Sequence, residues 1–259
     1  MAKEKQEQEP ELPPLPLAEI LKHGAVRTAP KLVIYGHEGI GKTTLASKAP
    51  SPLFLLTENG TRSIPNVTAT PLLTSYSSVI RTMKSIRNDA KNAGIQTLVV
   101  DTADALEVLI HRSLCEKFSV DYLEKADGGY GKGYAYAERE WRRFLLEYVE
   151  PITAQGIMVV FCAHSQDKSI SDLELNSYTT YCLKLQDKAR HVLLEWADAV
   201  LFLTREIGAA KGEDGGNNPR ILRCSPQLKC ESKNRFGFPE TIPAESLWSK
   251  LQTNNPKEN

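Results

Sequence analysis

The sequence is poor in cysteine, carries no charge imbalance and has no long apolar run. Its five cysteines, Cys115, Cys162, Cys182, Cys224 and Cys230, include no C-x-x-C pair. That spacing argues against a disulfide framework or a structural zinc site and points to reducing cytosol. Cys162 lies inside an apolar strand pattern and reads as a buried thiol. Lys+Arg and Asp+Glu are equal at 32 each, for a formal net charge of zero. Partners such as nucleic acid must therefore be argued from local patches, because total charge offers no help. No apolar run approaches the ~20 residues of a membrane span, so no membrane partner is expected. Residues 1–11 are charged and lack the apolar core of a secretory signal. With 41% hydrophobic and 25% charged residues, a fully disordered, collagen-like or coiled-coil chain is excluded. The length of 259 residues suits one large α/β domain or two small ones.

Residues 1–16 are polar and punctuated by Pro10, Pro13, Pro14 and Pro16, the pattern of a disordered tail. A short helix is expected over Leu17–Lys22. Five runs read as strands: Lys31–Tyr35, Leu53–Thr57, Thr97–Asp101, Ile157–Phe161 and Ala199–Leu203. Each is continuously apolar rather than alternating, as strands covered on both faces should be. Between them, Tyr76–Ala93, Ala103–Phe118, Tyr134–Ile152 and Leu185–Trp196 carry apolar residues at helical spacing. Strands alternating with helices imply an α/β fold, with a mostly parallel central sheet and helices on both faces. Beyond the fifth strand, Gly208–Pro219 reads as a mobile turn, and Arg220–Ser225 and Leu228–Arg235 as two short edge strands. A proline-punctuated tail is expected from Gly237 onward.

The clearest chemistry lies at Gly36-His37-Glu38-Gly39-Ile40-Gly41-Lys42-Thr43, which matches the P-loop pattern G-x-x-x-x-G-K-[ST]. Glycines let backbone amides face phosphate oxygens, and the following helix offers its N-terminal dipole to the anion. Lys42 should reach the β- and γ-phosphates, Thr43 should ligate Mg²⁺, and Thr44 completes the cradle. ATP and Mg²⁺ are the implied ligands. Coincidence accounts for such a match about once in a hundred chains of this length. This one also follows a strand and opens a helix, as the motif requires. Asp101 closes the third strand and reads as the second carboxylate behind the magnesium; the plainer reading is a cap on the next helix. Thr102 follows it, so the base that orients water is not supplied next door. Glu58, past the second strand, is the candidate. With that strand beside the P-loop strand, Glu58 would overlook the γ-phosphate. The competing reading is an exposed turn residue beside Asn59-Gly60.

In these features the sequence resembles the RecA/RadA-type ATPase core. The resemblance implies that Glu58 is the catalytic glutamate and that His164, after the fourth strand, stands where the family carries a polar γ-phosphate sensor, usually Gln. It is closest to the short phage-type RecA-like ATPases linked to single-strand annealing, the "Sak-four" group. The match rests on the P-loop with Tyr35 and Thr44-Leu45-Ala46, on Glu195-Trp196-Ala197-Asp198-Ala199-Val200, and on Glu231-Ser232-Lys233-Asn234-Arg235-Phe236-Gly237-Phe238-Pro239. It runs over about residues 17–242, which are expected to form one RecA-like ATPase domain with a C-terminal antiparallel edge, followed by a tail over 243–259. For a phage-encoded chain the implied compartment is the host cytoplasm.

The resemblance further implies two loops that contact single-stranded DNA, here Ser119–Gly133 and Ser165–Leu183. Tyr130 and Lys132 in the first, and Lys168, Tyr178 and Tyr181 in the second, suit base stacking with phosphate contact. Acidic neighbours such as Asp121, Glu124 and Asp172 argue for weak or assembly-dependent binding. Residues 220–235 carry five cations against the single acid Glu231, a run that can equally be a solvated face. Within it, Lys233 and Arg235 are candidates for a finger reaching the γ-phosphate of a neighbouring subunit, as in RecA- and DnaB-like assemblies, which implies a homo-oligomeric ring or filament. The function expected is therefore a Mg-dependent ATPase that binds single-stranded DNA and supports recombination or annealing, with a single-strand-binding protein as a further partner. The alternatives are a P-loop nucleotide kinase, disfavoured by the isolation of Arg205 and Arg220, and a nucleotide-dependent switch with little turnover.

Overall fold

A computed structural model describes residues 28–61, 64–172, 176–206, 218–227 and 229–254, with Pro16 alone before them. The expected N-terminal tail, the helix at Leu17–Lys22, residues 255–259 and most of the Gly208–Pro219 turn lie outside the described residues.

Among the described residues ten strands form the sheet: β1 (Lys31–Gly36), β2 (Pro52–Leu56), β3 (Thr68–Ala69), β4 (Thr97–Asp101), β5 (Met158–Asp172), β6 (Asn176–Leu183), β7 (Ala199–Arg205), β8 (Arg220–Arg223), β9 (Lys233–Asn234) and β10 (Thr241–Pro243). The main path runs β10-β8-β7-β1-β5-β4-β2-β3. Neighbours from β7 to β3 are parallel, while β8, β9 and β10 join antiparallel at one edge. The expected mostly parallel α/β sheet with a C-terminal antiparallel edge is present. One expectation is corrected: β2 does not lie beside the P-loop strand β1, because β5 and β4 stand between them.

The apolar runs are continuous because each strand feeds two cores. Val33 and Tyr35 of β1 join one, and Leu32 and Ile34 the other. Alternate residues on a strand point to opposite faces, so both faces must be covered. On the first face pack α2 (Tyr76–Asp89), α3 (Ala103–Phe118), α4 (Lys132–Arg143) and α6 (Asp187–Trp196). Helix α4 runs through a π-helical stretch, Phe144–Val149, into α5 (Glu150–Thr153). Ser75 and Ser78 close a capping box on α2, and Thr102 caps α3. On the second face lie α1 (Lys42–Ala46) and α7 (Leu247–Asn254).

Helix α7 corrects a second expectation. Residues 241–254 are no loose tail: β10 pairs with β8, and Leu247, Trp248 and Leu251 are buried. Proline marks the segment as non-helical locally, yet Pro243 only precedes a 3₁₀ turn, Ala244–Ser246, that leads into α7. Third, Ser165–Leu183 is not an open loop. Strand β5 continues beyond the sheet and pairs antiparallel with β6, from Ser165 opposite Leu183 outward. Among the described residues no helix is long and apolar enough to cross a membrane. All five cysteines are free thiols, and Cys162 is fully buried.

Candidate active site

Strand β1 delivers the P-loop to the edge of the sheet at which its parallel strands end. Gly36, in register with His164 of β5, has no room for a side chain, since a Cβ would lie 2.4 Å from Leu203 O. Gly39 and Gly41 take φ of +71° and +99°, the left-handed region that favours glycine. His37, Glu38 and Gly39 are exposed, Ile40 half-buried, and Thr44 exposed on α1. A cavity of about 280 Å³ opens between Glu38, Gly39, Gly41, Lys42, Thr43, Thr44, Glu58, Gly60, Ile64 and His164. The P-loop, Glu58 and His164 expectations thus converge on one pocket. Glu58 reaches it although β2 lies three strands from β1.

Lys42 is buried, and its Nζ donates to Gly36 O and His37 O, both at 3.0 Å. Burial lowers its pKa below the ordinary lysine value, with Asp104, Glu58 and Asp101 pulling the other way. Thr43 Oγ1 donates to Asp101 Oδ2 at 3.0 Å. Asp101 is fully buried, and burial pushes its pKa up to about 6 against the Thr43 bond and the Lys42 charge. Its other oxygen, Oδ1, is buried with no hydrogen-bond partner. A hydroxyl and one carboxylate with an unpartnered oxygen, beside a buried lysine, suit Mg²⁺ bound with a polyphosphate. The residues present therefore fit that group.

Glu58 Oε2 accepts from Thr102 Oγ1 at 3.2 Å. His164 Nδ1 lies 2.8 Å from Asp104 Oδ2, and the His164 amide donates to Asp104 Oδ1 at 2.9 Å. The Asp104 bond raises the imidazole pKa above its ordinary value. Burial alone would raise Asp104, but the two His164 bonds outweigh it and hold the carboxyl low. Glu58, Asp104 and His164 bring one ligand atom each within 4.8 Å of one another. With His164 engaged by Asp104, the group reads as a carboxylate beside a paired imidazole.

Two residues at or beside this pocket have roles that sequence reasoning does not reveal. Asp104 follows Asp101 by three residues in the first turn of α3, and an acid there is ordinary helix chemistry. Only the fold shows that it holds His164. A Cβ on Gly60 would sit 2.5 Å from Asp101 Oδ2 and 3.3 Å from Thr43 Oγ1. Its lack of a side chain is what leaves room beside the Thr43–Asp101 pair.

The remaining candidates do not line this pocket. Tyr130 is fully exposed at φ +54° between Gly129 and Gly131, both also at positive φ. The segment around it is anchored by the buried Leu123 and Ala126, in a 3₁₀ turn spanning Leu123–Gly128. Lys132 donates to Asp127 O at 3.0 Å. Lys168 pairs with Asp187 at 2.6 Å. Tyr178 and Tyr181 are three apart on β6 and face opposite sides, so they cannot form one stacking platform. Tyr181 is also not an open loop aromatic: its ring stacks on Phe202 with 5.2 Å between centroids and meets His37 edge-on at 5.0 Å. Within the chain Lys233 and Arg235 have separate partners. Only Lys233–Asn234 is strand, and Lys233 Nζ caps α6 through Leu194 O and Glu195 O at 2.8 and 2.9 Å. Arg235 is exposed and pairs with Asp198 at 3.4 Å.

The AAA domain family matches residues 28–236. The SPbeta prophage-derived uncharacterized protein YorG of Bacillus subtilis (strain 168) is 28% identical over 138 residues, 52% of this chain and 41% of that protein. The chain therefore spans under half the length of that relative.

Proposed function

The chain belongs to the AAA domain family, of P-loop ATPase type, and from that premise we propose that it is a RecA-like ATPase that binds single-stranded DNA and supports recombination or strand annealing. The observation that carries the ATPase part is the convergence of Lys42, Thr43–Asp101, Glu58 and His164 on one pocket. Lys42 places a positive charge against the phosphates. Glu58, which lines the same pocket, is in this reading the base that takes a proton from an attacking water. His164, whose hold on its proton is strengthened by the Asp104 bond, lines the same pocket and, when protonated, offsets charge that spreads on the transferred phosphoryl. Mg²⁺, held by Thr43 and Asp101, would supply charge neutralisation and phosphate orientation.

The DNA part rests on family resemblance and on Tyr130, whose exposed ring stands on a glycine turn next to Lys132. The phage-type reading is supported by the prophage-derived relative. In a homo-oligomer Arg235 is the freer of the two finger candidates, since Lys233 is tied to carbonyls. The kinase alternative loses ground, because Arg205 and Arg220 are bonded to backbone carbonyls rather than poised in a lid. The test is the Mg-dependent rate of ATP hydrolysis with and without single-stranded DNA, alongside size analysis. Stimulation by DNA in an oligomer supports the reading. Hydrolysis that DNA leaves unchanged removes the DNA part, and loss-free turnover in Lys42→Ala removes the ATPase part.

A further inference from the structure

Helix α1 has five residues, far fewer than a helix needs to persist on its own. Gly41 gives it no side-chain cap, and its last carbonyls have no partner within the helix. The Ser47, Lys48 and Ala49 amides just beyond it reach Thr43 O, Leu45 O and Ala46 O, and the C-terminal segment adds a second set of contacts. Trp248 Nε1 donates to Leu45 O at 2.9 Å in a buried contact, which the Lys48 amide shares at 3.2 Å. Arg220 Nη1 donates to Ile40 O at 3.5 Å and to Gly41 O at 3.3 Å. The other end of the Arg220 guanidinium pairs with Glu245, which also holds Lys48 just beyond α1. Beneath these bonds Ile242, Leu247, Trp248 and Leu251 join Leu45 and Ala46 in one apolar core.

The Arg220 contacts have a directional effect. In a trans peptide the carbonyl and the next N–H point opposite ways. Holding the Ile40 carbonyl on Arg220 therefore turns the Gly41 amide the opposite way, and the Gly41 carbonyl is shared between Arg220 and the Leu45 amide, which reaches it at 2.9 Å. The guanidinium packs directly on the loop, since a Cβ on Gly41 would lie 2.1 Å from Nη1.

We propose that β8 and residues 241–251 form a clamp that sets the affinity of the P-loop for nucleotide, with Arg220 and Trp248 as its positioning residues. This rests on the nucleotide reading above. Neither residue touches the ligand; both hold the backbone that does. The experiment is calorimetric titration of Mg·ADP into the wild-type chain, Arg220→Gln, Arg220→Lys, Trp248→Phe and, as a control, Trp196→Phe. Thermal melts by circular dichroism report folding separately. Binding should weaken about tenfold in Arg220→Gln and severalfold in Trp248→Phe, with partial recovery in Arg220→Lys. Nucleotide should also change tryptophan emission in the wild type and in Trp196→Phe, but not in Trp248→Phe. If Arg220→Gln does not fold, Arg220→Lys and Trp248→Phe decide. Wild-type affinity in the folded variants overturns the clamp while the nucleotide reading stands. A wild-type chain that binds no nucleotide overturns both.

Discussion

Asp104 grips His164 twice, through the imidazole at 2.8 Å and through the backbone amide at 2.9 Å. The side chain is thereby fixed at the point where β5 leaves the sheet, facing the phosphate pocket. An imidazole held this way keeps its proton to higher pH than a free one.

The first prediction concerns that proton. Titration of His164 by NMR should give a midpoint above the ordinary 6.5, falling back in Asp104→Asn. Because the folded histidine pKa is raised, its contribution to stability is full below 6.5 and fades as pH rises through the folded value. Asp104, held below its ordinary 3.8, contributes above that value and loses its contribution as pH falls through its folded pKa. Denaturant unfolding of wild type against Asp104→Asn should thus show its largest gap between these limits, about 1.5–3 kcal/mol, and a smaller one in alkali. An equal gap at pH 5.5 and pH 9.5 would count against a charged pair.

Glu58→Gln should keep Mg·ATP binding and lose about 10²–10⁴-fold in hydrolysis. Single-turnover rates next to equilibrium nucleotide binding separate the two effects. Wild-type turnover in Glu58→Gln, with a collapse in Asp104→Asn, would reassign the base to Asp104.

Gly60→Ala tests the space beside the metal donors. Its methyl group would meet Asp101 Oδ2 at 2.5 Å, and Asp101 sits on a buried strand that cannot retreat. The variant should need a higher Mg²⁺ concentration for half-maximal hydrolysis while its far-UV spectrum stays unchanged. An unaltered Mg²⁺ dependence would show that the Thr43–Asp101 pair has slack.

The two tyrosines of the DNA expectation should behave differently. Tyr130→Ala removes an exposed ring and should weaken single-stranded DNA binding, by about 1–3 kcal/mol if one base stacks there. Tyr181→Ala opens a gap against His37 and Phe202, so it should first lower stability and disturb the P-loop. Fluorescence anisotropy with labelled oligonucleotide, compared with thermal melts, distinguishes them. Loss of DNA binding in a fully stable Tyr181→Ala, with none in Tyr130→Ala, would invert this assignment.

What the sequence makes legible is what depends on near neighbours. The P-loop shows itself because its chemistry fits in eight consecutive residues, and Ala103–Phe118 forms the helix expected, capped by Thr102. Glu58 and His164 are visible because strand ends in a parallel sheet meet at one edge. Strand order is not visible, since an apolar run such as Leu53–Leu56 looks the same at any buried position. The hairpin is missed because β5 passes from buried apolar residues to polar ones at His164, which reads as the end of a strand. Arg220, Trp248 and Asp104 are missed for one reason: each acts through a partner far along the chain, and no local pattern marks such a pair.

Strand β5 carries His164, in register with Gly36, and then runs without interruption to Asp172. At about 3.3 Å per residue the arm beyond the pocket is about 26 Å long. Such an arm is a lever with its fulcrum at the phosphate site. A tilt of about 5° at His164 would sweep the far end through roughly 2 Å. A label near Ser171 would therefore register as ångströms what a ring at the fulcrum does in tenths.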